Sequence, residues 1–138
     1  MTTARIAAAF ATRLATWAAA RTPPLRIAPQ NVTFTPPAGT YLRTYLMPAR
    51  TDSRTLDRVH RGYRGVWQVS VVLAAGTGYG EGYAIAAELD ALFPTQPPYM
   101  VQSGLTVYVT QPMGAAAGLV DDDGRFVVPV SCTYEANE

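Results

Sequence analysis

Residues 64–73 have the sequence RGVWQVSVVL, in which large apolar side chains recur at every second position from Trp67 onward. The odd-numbered positions from Trp67 to Leu73 are all large and apolar, whereas Gln68 and Ser70 lie between them. Alternation with a period of two is typical of a β-strand that buries one of its faces. We therefore predict a strand over residues 64–73, with Trp67 in the hydrophobic core.

A second strand is expected before this one. Thr40–Met47 is rich in Tyr and Leu and is followed by Pro48, which predicts a strand that ends there. Arg50–His60 has almost no apolar residues and is expected to be an exposed, mobile loop. Two strands joined by such a loop predict a hairpin with an extended tip. Further upstream, Leu25–Ala28 and Asn31–Phe34 are candidate short strands.

Two more strands are expected in the C-terminal half. Apolar and polar residues alternate over Leu105–Thr110 and again over Phe126–Tyr134. In the second of these segments Cys132 shares the apolar face, so we expect it to be a small core residue. Small residues dominate Gln111–Gly118, which predicts a flexible loop, and Asp121–Gly124 has the composition of a turn.

Helical periodicity is found in two segments, Thr3–Ala20 and Glu81–Leu92. In each, large apolar residues recur every three or four positions and form one stripe, and Pro residues follow both segments. The stripes consist of Ile6, Phe10, Leu14 and Trp17 in the first helix and of Ile85, Leu89 and Leu92 in the second. A single stripe on each helix predicts that both helices lie on a larger apolar surface.

Length and composition are consistent with one domain over residues 1–138. Hydrophobic residues make up 49% of the chain and charged residues 15%, which excludes a disordered or coiled-coil protein. The formal charge of +1 implies no general attraction to nucleic acid or membranes, and no apolar run reaches the length of a membrane span. The expected fold is α+β: a mixed, mostly antiparallel sheet of four to five strands with two helices packed on one face.

Residues that usually carry catalysis or bind metals are scarce. His60 is the only His, Cys132 is the only Cys, and the chain has no Lys. These counts exclude two-His and multi-Cys metal sites, and they leave the Gly-rich segment 76–82 without the Lys of a phosphate loop. Asp121–Asp123 is interpreted as a solvated turn, because no carboxylate follows at the spacing of a calcium loop. We expect no enzyme activity, no catalytic residue, no cofactor and no metal.

Positive charge is concentrated between residues 50 and 64, where five arginines and two Asp give a balance of +3. The arginines are Arg50, Arg54, Arg58, Arg61 and Arg64. The concentration fits either a solvated hairpin tip or a contact with an acidic partner surface. The mixture of Arg with Tyr and Trp from Tyr41 to Trp67 also fits a nucleic-acid surface, but packing of these rings in the sheet is the favoured interpretation.

Several segments along the chain combine into a familiar order of packing and turn patterns. They are Ala4–Trp17, Asn31–Phe34 with Pro36 and Pro37, Tyr41–Arg43, Tyr63–Val71, Leu92–Pro94 and Arg125–Ser131. Through these segments, which span most of the chain and contain no catalytic signature, the sequence resembles the tail terminator-like proteins of long-tailed phages and prophages.

The resemblance implies a structural virion protein, a minor tail protein that is assembled into the virion tail in the cytoplasm of the bacterial host. Terminators form a homo-oligomeric ring of six subunits on the head-proximal end of the tail tube. The ring stops growth of the tube and offers a surface to head-completion or connector proteins. Genomic DNA passes through its lumen without specific binding. The arginines between residues 50 and 64 would then contact a partner or the lumen.

Two other classes of function remain open. One is another head–tail connector or neck protein, built on a similar small α+β unit. The other is a small nucleic-acid-binding module that uses the Arg and Tyr side chains. Salt-sensitive binding to generic DNA would favour the module, and ring formation without DNA affinity would favour a joint of the virion.

Overall fold

The computed structural model describes residues 2–49, 51–53, 61–121 and 124–137. The described residues form two helices and eight strands. The helices are α1 (Thr2–Ala20) and α2 (Gly80–Leu92), and the strands are β1 (Arg26–Ala28), β2 (Tyr41–Pro48), β3 (Asp52–Ser53), β4 (Arg61–Leu73), β5 (Met100–Gln102), β6 (Leu105–Ala115), β7 (Leu119–Val120) and β8 (Phe126–Asn137). Neither helix combines the length and apolar character that crossing a bilayer requires, as far as the chain is described.

All the described strands belong to one mixed sheet in the order β1-β2-β4-β8-β6-β5, with β3 paired to β4 and β7 paired to β8. Only β1 and β2 are parallel neighbours, and the other pairs are antiparallel. The predicted α+β class is therefore confirmed, but four to five strands is too low a count for the described chain. The strands missed were β3, β5 and β7, which have two or three residues each and are too short to display alternation.

Two long hairpins form the centre of the sheet. In the first, β2 and β3 pair with β4, which confirms the predicted hairpin. In the second, β6 and β7 pair with β8. The two hairpins join through β4 and β8, whose pairing runs from Gly62 opposite Asn137 to Leu73 opposite Phe126. Because these strands are antiparallel, the first residues of β4 and of β8 lie at opposite ends of the sheet.

Both helices pack on the same face of the sheet and enclose the main core. Phe10 of α1 lies at its centre, where its ring is stacked on Trp67 at a centroid distance of 4.8 Å. The rings of Phe93 and Tyr134 contact Phe10 at 5.5 and 5.6 Å. Trp67 is only 3% exposed, so its predicted place in the core is confirmed.

Among the described residues, a second and smaller cluster covers one end of the opposite face of the sheet. A small cluster of Ala28, Tyr41 and Val72 is buried there, and Phe34 packs against it from the connection between β1 and β2. The prediction of a strand over Asn31–Phe34 was wrong, since this segment runs as an irregular connection. Asn31 has a φ of 59°, a left-handed conformation that interrupts extended backbone.

Two boundaries in the sheet differ from the expectation. β4 begins at Arg61, three residues before the predicted start, because it pairs with β3 and with the end of β8. β6 continues through Ala115, although Gln111–Gly118 was expected to be a loop. Pairing with β8 extends this strand past its small residues, and two register shifts on either side of Gln111 accommodate the irregular stretch around Pro112.

Candidate functional site

The segment with the concentrated positive charge, residues 50–64, is called the basic hairpin, and the structure describes it in part. Arg50, Arg54 and Arg58 lie outside the described residues. Arg61 and Arg64 both lie near the start of β4, and both side chains are exposed. The register places Arg64 directly opposite Glu135 of β8. The structure thus brings two of the five predicted contact residues to one end of one strand.

The aromatic rings between Tyr41 and Trp67 pack largely inside the protein. Trp67 lies in the core, and Tyr41 is 1% exposed. The guanidinium groups of Arg43 and Arg125 lie over the Tyr41 ring, at 5.6 and 5.2 Å from its centroid. Arg43 also donates a hydrogen bond from Nη2 to the Tyr41 hydroxyl. These contacts favour the interpretation that the rings stabilise the sheet, because a stacking platform needs open ring faces.

The Gly-rich segment before α2 has a packing role. Gly76 and Gly78 adopt φ values of 78° and 81°, which other residues rarely adopt. Gly82, inside α2, lies against the sheet so closely that a Cβ there would stand 2.9 Å from Cγ2 of Val128 and 3.1 Å from Cδ1 of Leu73. The glycines therefore form the turn into α2 and allow the helix to approach the sheet.

The residues considered for chemistry do not form a cluster in the described chain. His60, Asp122 and Asp123 lie outside it. Asp121 accepts a hydrogen bond at Oδ1 from the backbone N–H of Arg125, as expected for a turn residue. In the described ranges no three His, Cys, Asp or Glu side chains come together as a metal site would need.

Cys132 is buried in the core with 3% exposure, as predicted. Burial raises the pKa of its thiol to about 12, because the thiolate would lose its hydration, while a backbone hydrogen bond with Trp67 has a smaller opposing effect. The reactive form of a cysteine is the thiolate. Below pH 9 this group is therefore almost wholly protonated.

We expect the folded protein to resist thiol reagents. At pH 8 in buffer, modification of Cys132 by a disulfide reagent such as Ellman's reagent should be at least about a hundredfold slower than in denaturant. The released chromophore measures the rate, and the same protein in 6 M guanidinium is the control. Rapid modification of the native protein would contradict the burial of this thiol.

A groove lies between α1, the C-terminal end of α2 and the edge strand β5, with a volume of about 520 Å³. Its lining includes Thr12, Arg13, Trp17, Leu92, Met100 and Val101. Sequence reasoning missed it because β5 was not predicted. Ser103 and Gly104, both with positive φ, form the tight turn between β5 and β6, and this Ser-Gly pair was the available signal.

Large apolar side chains are exposed at other places as well. Leu119 and Val120 of β7 are 52% and 67% exposed. Tyr79 and Tyr83, at the start of α2, form an exposed edge-to-face pair with centroids 5.6 Å apart. Exposed apolar surface of this kind commonly marks contacts with other proteins. A small α+β domain with several exposed apolar surfaces is typical of proteins that assemble with other chains.

The comparisons with known proteins agree with this class. The model of the phage tail terminator protein family matches residues 5–134, so the chain belongs to that family. A solved structure named only by a sequence identifier is 47% identical, with a TM-score of 0.82 over 99% of this chain and 96% of that one. No curated protein sequence matches. The resemblance seen in the sequence is confirmed, and the protein is a structural component of a phage tail.

Proposed function

We propose that the chain acts as one domain over residues 1–138 and forms a six-membered ring on the head-proximal end of the tail tube. The ring stops growth of the tube and joins the tail to head-completion proteins. The match of residues 5–134 to the terminator family carries this proposal. Subunits assemble in the host cytoplasm and catalyse no reaction, and the lumen passes genomic DNA without binding it specifically.

The shape of the sheet supports assembly by repeated contacts. A ring of identical subunits needs two different patches on each subunit that fit each other. The first residues of β4 and of β8 lie at opposite ends of the sheet, because the two strands are antiparallel. Each subunit therefore has two chemically different ends available for its neighbours, and its exposed apolar side chains add contact surface.

Inactivation of the gene for this protein tests the proposed terminator function. A phage or prophage in which this gene is inactivated should produce tail tubes of excessive and variable length that are not attached to heads. Electron microscopy of the lysate measures tube length and attachment, and the wild-type gene supplied in trans is the control. Tubes of normal length that remain separate from heads would instead identify a neck or connector protein. Normal length and normal attachment would contradict both functions.

The basic hairpin is proposed to contact an acidic surface of a neighbouring subunit, of another tail protein or of the lumen. Arg61 and Arg64 extend the positive charge from the tip into β4. Replacing Arg50, Arg54 and Arg58 by Ser should leave the fold intact but lower the yield of tail-complete particles at least about tenfold. The defect should be larger when assembly is measured at low salt, where the attraction in the wild type is strongest.

The matched control replaces the same three arginines by Lys, which keeps the charge and removes the planar guanidinium groups. If charge carries the contact, the Lys variant should assemble close to wild-type levels. If the Ser variant gave wild-type yields of tail-complete particles, this segment would be a solvated hairpin tip without a partner contact.

A further inference from the structure

Two apolar surfaces on the same side of β8 are only partly covered within the described chain. The first is the α1–β5 groove, lined by Thr12, Arg13, Trp17, Leu92, Met100 and Val101. The apolar stripes of both helices run into it: Trp17 and Leu92, the last residues of these stripes, are only half-buried. Val101 on the edge strand is 64% exposed. The groove is thus a continuation of the core that the subunit does not cover.

The second surface is the β7 arm, which we define as Leu119, Val120 and Asp121. Successive side chains of a strand point to opposite faces. Leu119 and Val120 are adjacent in β7, yet they are 52% and 67% exposed. Neither face of the arm is therefore covered, although its backbone is paired with β8. Two uncovered apolar side chains at the end of a hairpin provide a surface that another chain can cover.

The charges of the two surfaces are complementary. α1 carries Arg5 and Arg13 and contains no acidic residue, and residues 91–120 contain no charged residue at all. Arg13 lines the groove and donates a hydrogen bond to the carbonyl of Leu92 with one of its nitrogens. The Glu88 carboxylate on α2 accepts two hydrogen bonds from Arg21, of 3.2 and 2.8 Å. The groove is therefore apolar with a basic wall.

The arm has the opposite charge. In the sequence, Leu119 and Val120 lead directly into three consecutive Asp residues, 121 to 123. An apolar pair followed by Asp121 matches an apolar groove that is lined on one wall by Arg13. Complementary charge fixes the register of such a contact and disfavours groove-to-groove or arm-to-arm pairing.

One subunit cannot join its own two surfaces. The groove lies beside the end of β8 at Ala136, which pairs with Val107 next to β5. The arm pairs with β8 at Phe126, ten residues away. At about 3.3 Å per residue this separation is roughly 33 Å along a strand held on both sides. An arm that occupies the groove must therefore belong to another copy of the chain.

We propose that the β7 arm of one copy docks into the α1–β5 groove of the next copy. Leu119 and Val120 cover Trp17 and Val101, and Asp121 of the arm lies towards Arg13 of α1. The contact joins two different patches head to tail, which is the type of contact that closes identical subunits into a ring. This inference rests on the proposed ring and identifies the surfaces that form it.

Two single variants test the contact, Val101→Glu in the groove and Val120→Glu in the arm. Both side chains are largely exposed, so both variants should keep the wild-type melting temperature. Each should remain monomeric up to at least about a tenfold higher concentration than the wild type, because a buried carboxylate opposes docking. Val32→Glu, at a residue that is 57% exposed on another part of the chain, is the matched control and should assemble normally.

Mixing the two variants gives the decisive result. Val101→Glu retains a wild-type arm and Val120→Glu retains a wild-type groove, so one intact contact can form between them. Light scattering should detect a one-to-one dimer in the mixture and no larger species. Assembly of either variant at wild-type concentrations, or a mixture that stays monomeric, would overturn the proposal.

A cross-linking variant separates this inference from the proposed function. Val101→Cys combined with Val120→Cys should form intermolecular disulfides on mild oxidation and give a ladder of multimers, even where association is weak. The buried Cys132 should not take part. Absence of the ladder would overturn the docking of arm and groove. A ladder together with normal tails in the gene-inactivated phage would retain the contact and reject the terminator function.

Discussion

Replacement of Trp67 by Ala is expected to lower the free energy of unfolding by about 3–5 kcal/mol, as is usual for a large buried aromatic residue. Trp67 is 3% exposed, and its ring stacks on Phe10 with an interplanar angle of 19°. Phe10 in turn contacts the rings of Phe93 and Tyr134. Truncation would leave a cavity where four aromatic rings meet under α1, and the backbone of β4 cannot collapse into it because it is paired on both sides.

The loss of stability in Trp67→Ala should come from lost packing contacts. The indole Nε1 of Trp67 is buried and has no hydrogen-bond partner among the described residues, so truncation removes no hydrogen bond there. Trp17→Ala is the matched control, because Trp17 is the other Trp and lies half-buried in the groove. Chemical denaturation should give a loss for Trp17→Ala less than half as large. A Trp67→Ala protein that melts within about 2 °C of the wild type would contradict the central role of this ring.

Replacement of Gly65 by Ala is expected to destabilise the protein by about 3 kcal/mol, at the upper end for an overpacked position. An added Cβ would lie 2.5 Å from the carbonyl oxygen of Met47 and 2.6 Å from the hydroxyl oxygen of Tyr134. It would also lie 2.9 Å from the Cα of Pro48. Two of these atoms belong to the neighbouring strand β2, so relief requires a shift of the sheet and not only a change of rotamer.

Gly114→Ala is the control for this prediction. Gly114 also lies in a strand, but no atom would come within 4 Å of its added Cβ, so the stability should change little or rise slightly. A second variant separates the two sources of the clash. Tyr134→Phe removes the hydroxyl oxygen near Gly65, and in this background Gly65→Ala should be partly rescued, while the contacts with β2 remain. Equal stability of Gly65→Ala and the wild type would refute the close approach of these strands.

Much of the fold followed from local patterns. The alternation around Trp67 predicted β4 and its buried face, and the spacing of Ile6, Phe10 and Leu14 predicted the buried stripe of α1. Cys132 was correctly assigned to the core. These predictions succeeded because each element is long enough to repeat its period several times, and because burial of one face is recorded in that period.

The candidate site could be predicted only in part. The concentration of arginines from Arg50 to Arg64 is a property of the sequence, and it stays a prediction of where a partner binds. The groove and the arm were not predicted. Trp17 and Leu92 continue their helical stripes, so the pattern assigns them to the core, although the structure leaves both half-buried at the groove.

The amino-acid sequence by itself determined the two helices, the central strands, the α+β class and the family to which the chain belongs. Only the tertiary structure decided that β6 continues to Ala115, that β5 forms an edge, and that Leu119 and Val120 remain uncovered. The physical reason is the range of the interactions. Helix and strand periods arise between near neighbours in the chain, whereas a short strand exists only if a distant partner offers its backbone hydrogen bonds. Which apolar residues stay exposed depends on where the sheet ends.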